Sequence, residues 1–180
     1  MNKMGKLLHW FYCLPMDRAA LLMLLAALIF RLMDHRWRKH PLFGALTAGV
    51  FFLWLGAMAY TTLGNRDPGD LNVLSLVPFH SYREVLAGGN IEILRSNFMN
   101  AALFFPGGVV LGALLPKRWP LWGKLILGTL LLGAVSAGVE YVQYTHGLGR
   151  VEIDDVIHNV LGAVLGLCAG GVQPVRKGTE

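Results

Sequence analysis

Charge is what this sequence has least of. Asp, Glu, Lys and Arg make up only 15% of its 180 residues, against about 25% in a typical soluble domain. Hydrophobic residues reach 54% and mean hydropathy is +0.50. That excludes a disordered chain and argues against a water-soluble one. Cysteine is nearly as scarce. Cys13 and Cys168 belong to no C-x-x-C pair and no Cys/His cluster, so zinc has no support and no metal site is expected. Internal repeats, low-complexity tracts and a second domain are also lacking, so residues 1–180 read as a single transmembrane domain. The net charge of +5 and pI near 9.5 raise nucleic acid as a partner. The basic residues lie between apolar runs and not on one face, however, which fits a membrane-topology signal, and no nucleic-acid partner is expected.

What is present is a series of long uncharged stretches. Crossing a hydrocarbon core of about 30 Å takes roughly 20 apolar residues. Residues 41–65 and 96–116 contain no formal charge, 125–139 contain none and extend back to 119 if Lys124 snorkels, and 156–175 hold only His158. A fifth run, 19–30, reaches a spanning length when extended to 14–33, with Asp17, Arg18 and Arg31 near its ends. A cleavable signal peptide competes there, but Pro15 to Arg18 interrupts the apolar stretch and no small-residue cleavage site follows. The segment 7–14, with His9, Trp10 and Tyr12, reads as an interfacial anchor. The expected fold is an all-α polytopic membrane bundle of about five helices, near 14–33, 41–64, 97–115, 119–140 and 155–174.

Orientation follows from the loops. Arg31, Arg36, Arg38, Lys39, Lys117, Arg118, Lys124, Arg176 and Lys177 fall on one side, nine of the 16 basic residues, with two acids, Asp34 and Glu180. The other side has more acids than bases on longer segments. The basic side is therefore expected in the cytoplasm, with the N terminus outside and the C terminus inside. The outer segment 66–95 includes an apolar piece at 71–79, too short to span and too apolar to float free. It reads as a re-entrant or interfacial piece within roughly 70–95.

Candidate chemistry gathers in 136–170. Gly133, Ser136, Glu140 and Gln143 share one helical face. Asp155, Asn159, Gly162 and Gly166 share another, and Gly162 with Gly166 makes a close-packing pattern. Asp155 also suits an N-cap or first turn. A short link through Gly147, Gly149 and Arg150 joins the two helices, bringing Glu140 and Gln143 near Asp155 and Asn159 with Arg150 over them. Asn97 and Asn100 precede Pro106 and Gly108 on the third span, at comparable depth. Each residue has a plainer role: Asp155 as a cap, Glu140 with Arg150 as a structural ion pair, the asparagines bonding across helices, His158 as packing. Ser75 and Ser81 have no base at recognisable spacing. Several ionisable groups converging at membrane depth, each costly there, argue for a site.

On three blocks the sequence resembles the VanZ-like family of membrane proteins. The first ends in Pro78 and Phe79 after Asn72. The second runs from Asn100 through Pro106 to Gly108. The third holds Glu140, Gln143, Arg150, Asp154, Asp155, Asn159 and Gly162. Together they cover about 70–170. The family is named for a protein associated with low-level resistance to teicoplanin, a lipidated glycopeptide that binds cell-wall precursors. The resemblance implies a multi-pass envelope protein with an outward polar site. The leading expectation is a non-catalytic protein that binds a lipid-linked precursor or a lipoglycopeptide among membrane lipids, using Asn100, Gln143, Arg150, Asp154 and Asn159. The alternative is an intramembrane enzyme on a lipid-linked phosphate or ester, with Glu140 and Asp155 as acid/base groups; no nucleophile is evident. A proton-coupled transporter is disfavoured by the short chain and the lack of an inverted repeat. The residues specify no cofactor.

Overall fold

A computed structural model describes residues 25, 28–34, 36–37, 40–64, 74–89 and 91–171. In chain order these include α1 (Phe43–Leu63), β1 (Leu74–Ser75), α2 (His80–Leu86), α3 (Glu92–Leu114), α4 (Leu121–His146), β2 (Val151–Glu152) and α5 (Ile153–Gly171). Four helices, α1, α3, α4 and α5, are long and apolar enough to cross a membrane. They coincide with the four uncharged runs of the sequence. The expected first span at 14–33 and the anchor at 7–14 lie largely outside the described residues, although 28–34 are helical.

The distribution of polarity is that of a membrane bundle. Large apolar side chains such as Phe52, Leu53, Leu130 and Leu165 face outwards, while Ser136, Glu140, Gln143, Asp154, His158 and Asn159 are buried. Lipid solvates the former at no cost, and polar groups must find partners inside the protein. Helix α1 is apolar around its circumference and buries only Thr47 and Met58. It is tied to α3 by Trp54, whose Nε1–H donates to the Leu103 carbonyl at 2.9 Å. The Trp54 ring occupies the space a side chain at Gly107 would need and meets Phe104 edge-on, centroids 5.7 Å apart.

Helices α3 and α5 form the centre, and glycine allows it. A methyl group added at Gly162, Gly166 or Gly170 would collide with the backbone carbonyl of Ala101, Phe105 or Val109, and one at Gly108 with that of Ala163. Small residues every fourth position thus bring two backbones into contact, which replaces the hydrophobic drive that lipid removes. The expected close approach at Gly162 and Gly166 is present, and it continues one turn further to Gly170.

Two details differ from expectation. Lys124 does not snorkel. It is fully buried, and its Nζ donates to the Gly171 carbonyl at the C-terminus of α5 (3.4 Å), where the helix dipole favours a cation. The segment after α1 is not merely apposed to the bundle. Its β1 pairs in parallel with β2, Leu74 opposite Val151 and Ser75 opposite Glu152, which seats α2 at the same end of the bundle as the α4–α5 turn. That turn is closed by Gly147 in the left-handed conformation (φ 64°), the role glycine serves at a helix C-cap. Cys168 is a free, half-buried thiol; Cys13 lies outside the described residues.

Candidate functional site

The α4–α5 end of the bundle is organised by Asp154, in the first turn of α5 and almost fully buried. One carboxylate oxygen accepts the Phe79 N–H at 2.5 Å. The other accepts the Ser81 N–H at 2.9 Å and the Ser81 hydroxyl at 2.5 Å. These are the orphan donors at the start of α2, which no local side chain caps. A residue distant in sequence therefore supplies the cap that Ser, Thr or Asp usually gives locally. Asn97 of α3 extends the network by donating to Ser81 Oγ at 2.9 Å. Phe79 sits in the left-handed region (φ 59°), a conformation that costs a bulky residue about 1 kcal/mol or more and that the Asp154 bond helps to hold.

His158 lies one turn along α5. Its Nδ1 is 2.6 Å from the Asp154 carbonyl, which only accepts, so Nδ1 carries the proton. In the tautomer with its proton on Nδ1, Nε2 is the acceptor for the Tyr82 O–H at 2.7 Å. The rings stack at 5.6 Å. His158 thus joins α2 to α5 through both nitrogens.

Beside this network is a cavity of about 330 Å³ lined by Glu84, Ile93, Ser96, Asn97, Arg150, Glu152 and Asp155. Arg150 Nε lies 3.1 Å from Glu152 Oε1, and half of the Arg150 side chain remains exposed. Asp155 accepts from Asn100 Nδ2 at 2.6 Å. The cavity wall therefore carries three carboxylates, one guanidinium and neutral polar groups from α2, α3, β2 and α5.

A second polar group lies in the core. Ser136, Glu140 and Gln143 occupy one buried face of α4. Asn159 of α5 donates to Ser136 Oγ at 2.9 Å. Gln143 donates to the Thr62 carbonyl in the last turn of α1 at 3.0 Å.

The family described as VanZ/LLP1 matches residues 18–170. The chain belongs to the VanZ/LLP1 family. The match reaches back well before the motif blocks that begin near residue 70. Searches of characterised proteins and of solved structures gave no match.

In this VanZ/LLP1 chain the candidate residues divide between these places. Arg150 and Asp155 line the cavity, and Asn100 reaches it through Asp155. Glu140, Gln143 and Asn159 are not among the lining residues. Asp154 has both oxygens engaged by the α2 turn, and Arg150 is paired with Glu152, where the sequence placed it over Glu140 and Asp155. Reasoning from sequence did not single out Glu84, Ser96 or Glu152 for the site, and it treated Ser81 and His158 as unremarkable. The proximity of Ser81 to the Pro78–Phe79 block was the available clue: a serine just after a conspicuous turn fits a helix start.

Proposed function

We propose that this VanZ/LLP1 protein is a multi-pass envelope protein that receives the polar head of a lipid-linked precursor or a lipoglycopeptide in the cavity beside Arg150. The observation that carries this reading is the cavity itself. It opens at one end of an apolar bundle and gathers Arg150, Asp155, Ser96 and Asn97 from separate elements. A half-exposed guanidinium bonds phosphate or carboxylate in bidentate fashion, and the three acids favour an ammonium on the same ligand. Apolar outer faces on the helices leave room for a lipid tail alongside. The cavity end faces outwards in this reading, because Lys117 and Arg118 mark the opposite end as cytoplasmic. A contribution to glycopeptide resistance would follow from capturing such a ligand at the outer surface.

The test uses the full-length protein in nanodiscs. Teicoplanin is titrated against it by thermophoresis, and co-purified lipid is identified by native mass spectrometry. The reading expects saturable teicoplanin binding or a retained phosphate-headed lipid, either one weakened at least tenfold in Arg150→Ala. Wild-type protein that neither binds teicoplanin nor retains such a lipid would dismiss it.

A further inference from the structure

The aromatic side chains of α4 mark where the membrane ends. Trp122 near its start and Tyr141 near its end are 67% and 68% exposed. The helix rises about 28 Å between them, close to the roughly 30 Å of a hydrocarbon core. Trp and Tyr collect at the two membrane–water interfaces, so Tyr141 marks the interface at the α4–α5 turn.

Helix α2 packs at that level and not above it. The bond from Asn159 to Ser136 sets the register of α5 against α4. In that register His158 lies about one helical turn deeper in the membrane than Tyr141, and Asp155 lies within about a turn of it. Tyr82 of α2 bonds and stacks on His158. Phe79 packs beside Tyr82, ring centroids 6.2 Å apart. Both rings are nevertheless exposed, as are Leu76, Val77, Leu86 and Ile91 of the same segment. At this depth the neighbouring spans present bare apolar side chains to lipid, so the exposed side of the segment continues their lipid-facing surface. An apolar patch of this kind is unfavourable in water, and acyl chains solvate it without cost. Arg83, exposed on the same short helix, lays its stem along that surface and carries its guanidinium out to headgroup phosphates.

The cavity shares this depth. Asp155 is in its wall, and Arg150 and Glu152 come to it from the turn that closes this end of the bundle. Glu84 of α2 and Ile93 of α3 also line it, and the link between them carries Leu86 and Ile91, at 87% and 68% exposure. We infer that α2 is sunk in the leaflet on the cavity's side and that the cavity draws its ligand from that leaflet. A lipid passes its phosphate head sideways along the Leu86–Ile91 edge to Arg150, while its chains stay among those of the bilayer. This rests on the binding proposed above, and it narrows the ligand to a lipid resident in the membrane.

Two measurements on the full-length protein test it. The first places a nitroxide at Leu86→Cys, with Cys13 and Cys168 replaced by serine, in nanodiscs. Its accessibility to oxygen should exceed that to a water-soluble nickel chelate, as at the lipid-facing control Leu130→Cys and in contrast to Arg118→Cys. Greater access to the chelate would put α2 in water, and shielding from both reagents would mean that protein covers it; either overturns the inference. The second replaces Ser96 of the cavity wall with p-benzoylphenylalanine. After illumination in the membranes of the expressing cells, intact mass should show a lipid adduct that falls at least threefold in Arg150→Ala. No lipid adduct, or one that Arg150→Ala leaves unchanged, overturns the lateral route. Teicoplanin binding that persists in that case would leave the cavity reading standing without it.

Discussion

Asp154 caps the start of α2 from 73 residues further along the chain than Ser81: its carboxylate accepts both the backbone N–H and the hydroxyl of Ser81. With the Phe79 N–H on the other oxygen, one side chain fastens the α2 turn to the start of α5. Removing it strands buried donors, each worth about 1–3 kcal/mol when unsatisfied. Asp154→Ala should therefore lower stability by roughly 2–4 kcal/mol, and Asp154→Asn by nearly as much, because an amide turns N–H groups towards N–H groups. Ser81→Ala, which keeps the backbone bond, should cost less. Denaturation in detergent gives the order, and limited proteolysis locates the damage at 74–89. Equal resistance of Asp154→Ala and wild type to both would show that this network holds nothing in place.

The α3–α5 contact makes a sharper prediction. Gly162→Ala forces a methyl group into the Ala101 carbonyl, backbone against backbone, with no flexible side chain to yield. Separation of the helices should cost at least about 2 kcal/mol, within the range for overpacked cores. Gly138→Ala on α4 is the matched control: its added methyl meets nothing within 4 Å, and alanine's better helix propensity makes it neutral or mildly stabilising. Melting temperatures of the two variants that fell together would remove the case for a glycine-dependent interface.

The parts of this structure that could be read from sequence are those with a local signature. Four spans announce themselves as uncharged runs, and the fourfold spacing of Gly162 and Gly166 foretells a close helix pair. The sequence sets Asn100 at a depth comparable to Glu140 and on the same side as Asp155, and the Asn100 amide bonds Asp155. What escaped is non-local. Two-residue strands have no periodicity, so the Leu74–Val151 pairing left no trace. Asp154 has the composition of a ligand-binding acid, and only the fold reveals that its partners are Phe79 and Ser81. Lys124 lies close enough to a helix end to snorkel. Depth alone does not reveal that the α5 terminus covers it. Arg150 turned to Glu152, two residues on in β2, because so local a pair forms without ordering a long side chain over the core.

Orientation is testable independently of function. With Cys13 and Cys168 replaced by serine, single cysteines at 117 and 149 report on opposite ends of α4. Membrane-impermeant maleimide added to intact cells should label position 149 and spare 117 until the cells are opened. The reverse pattern would put the cavity in the cytoplasm and end the proposal that it meets an extracellular ligand.

The cavity itself separates binding from architecture through Arg150. Its side chain is 53% exposed, although that of Glu152, its partner at 3.1 Å, is only 17% exposed, so the pair is open to solvent on the arginine side. Such pairs are worth about 0–1 kcal/mol, screened by water and salt. Arg150→Ala and Glu152→Gln should each leave the melting temperature almost unchanged, and the double variant should show little coupling between them. A ligand anion that rests on the guanidinium loses a charge-assisted bidentate contact in Arg150→Ala, so binding should fall at least tenfold, about 1.4 kcal/mol. Arg150→Lys keeps the charge without the planar fork and should recover only part of it. Asp155→Asn tests the opposite sign: it keeps an acceptor for Asn100 but removes a negative charge from the wall, so a ligand bearing an ammonium should weaken while a purely anionic one should tighten. If Arg150→Ala instead unfolds the protein, or if Arg150→Ala, Arg150→Lys and Asp155→Asn all bind teicoplanin and lipid as the wild type does, then the cavity is a gap in the packing and its charges belong to the architecture of the turn.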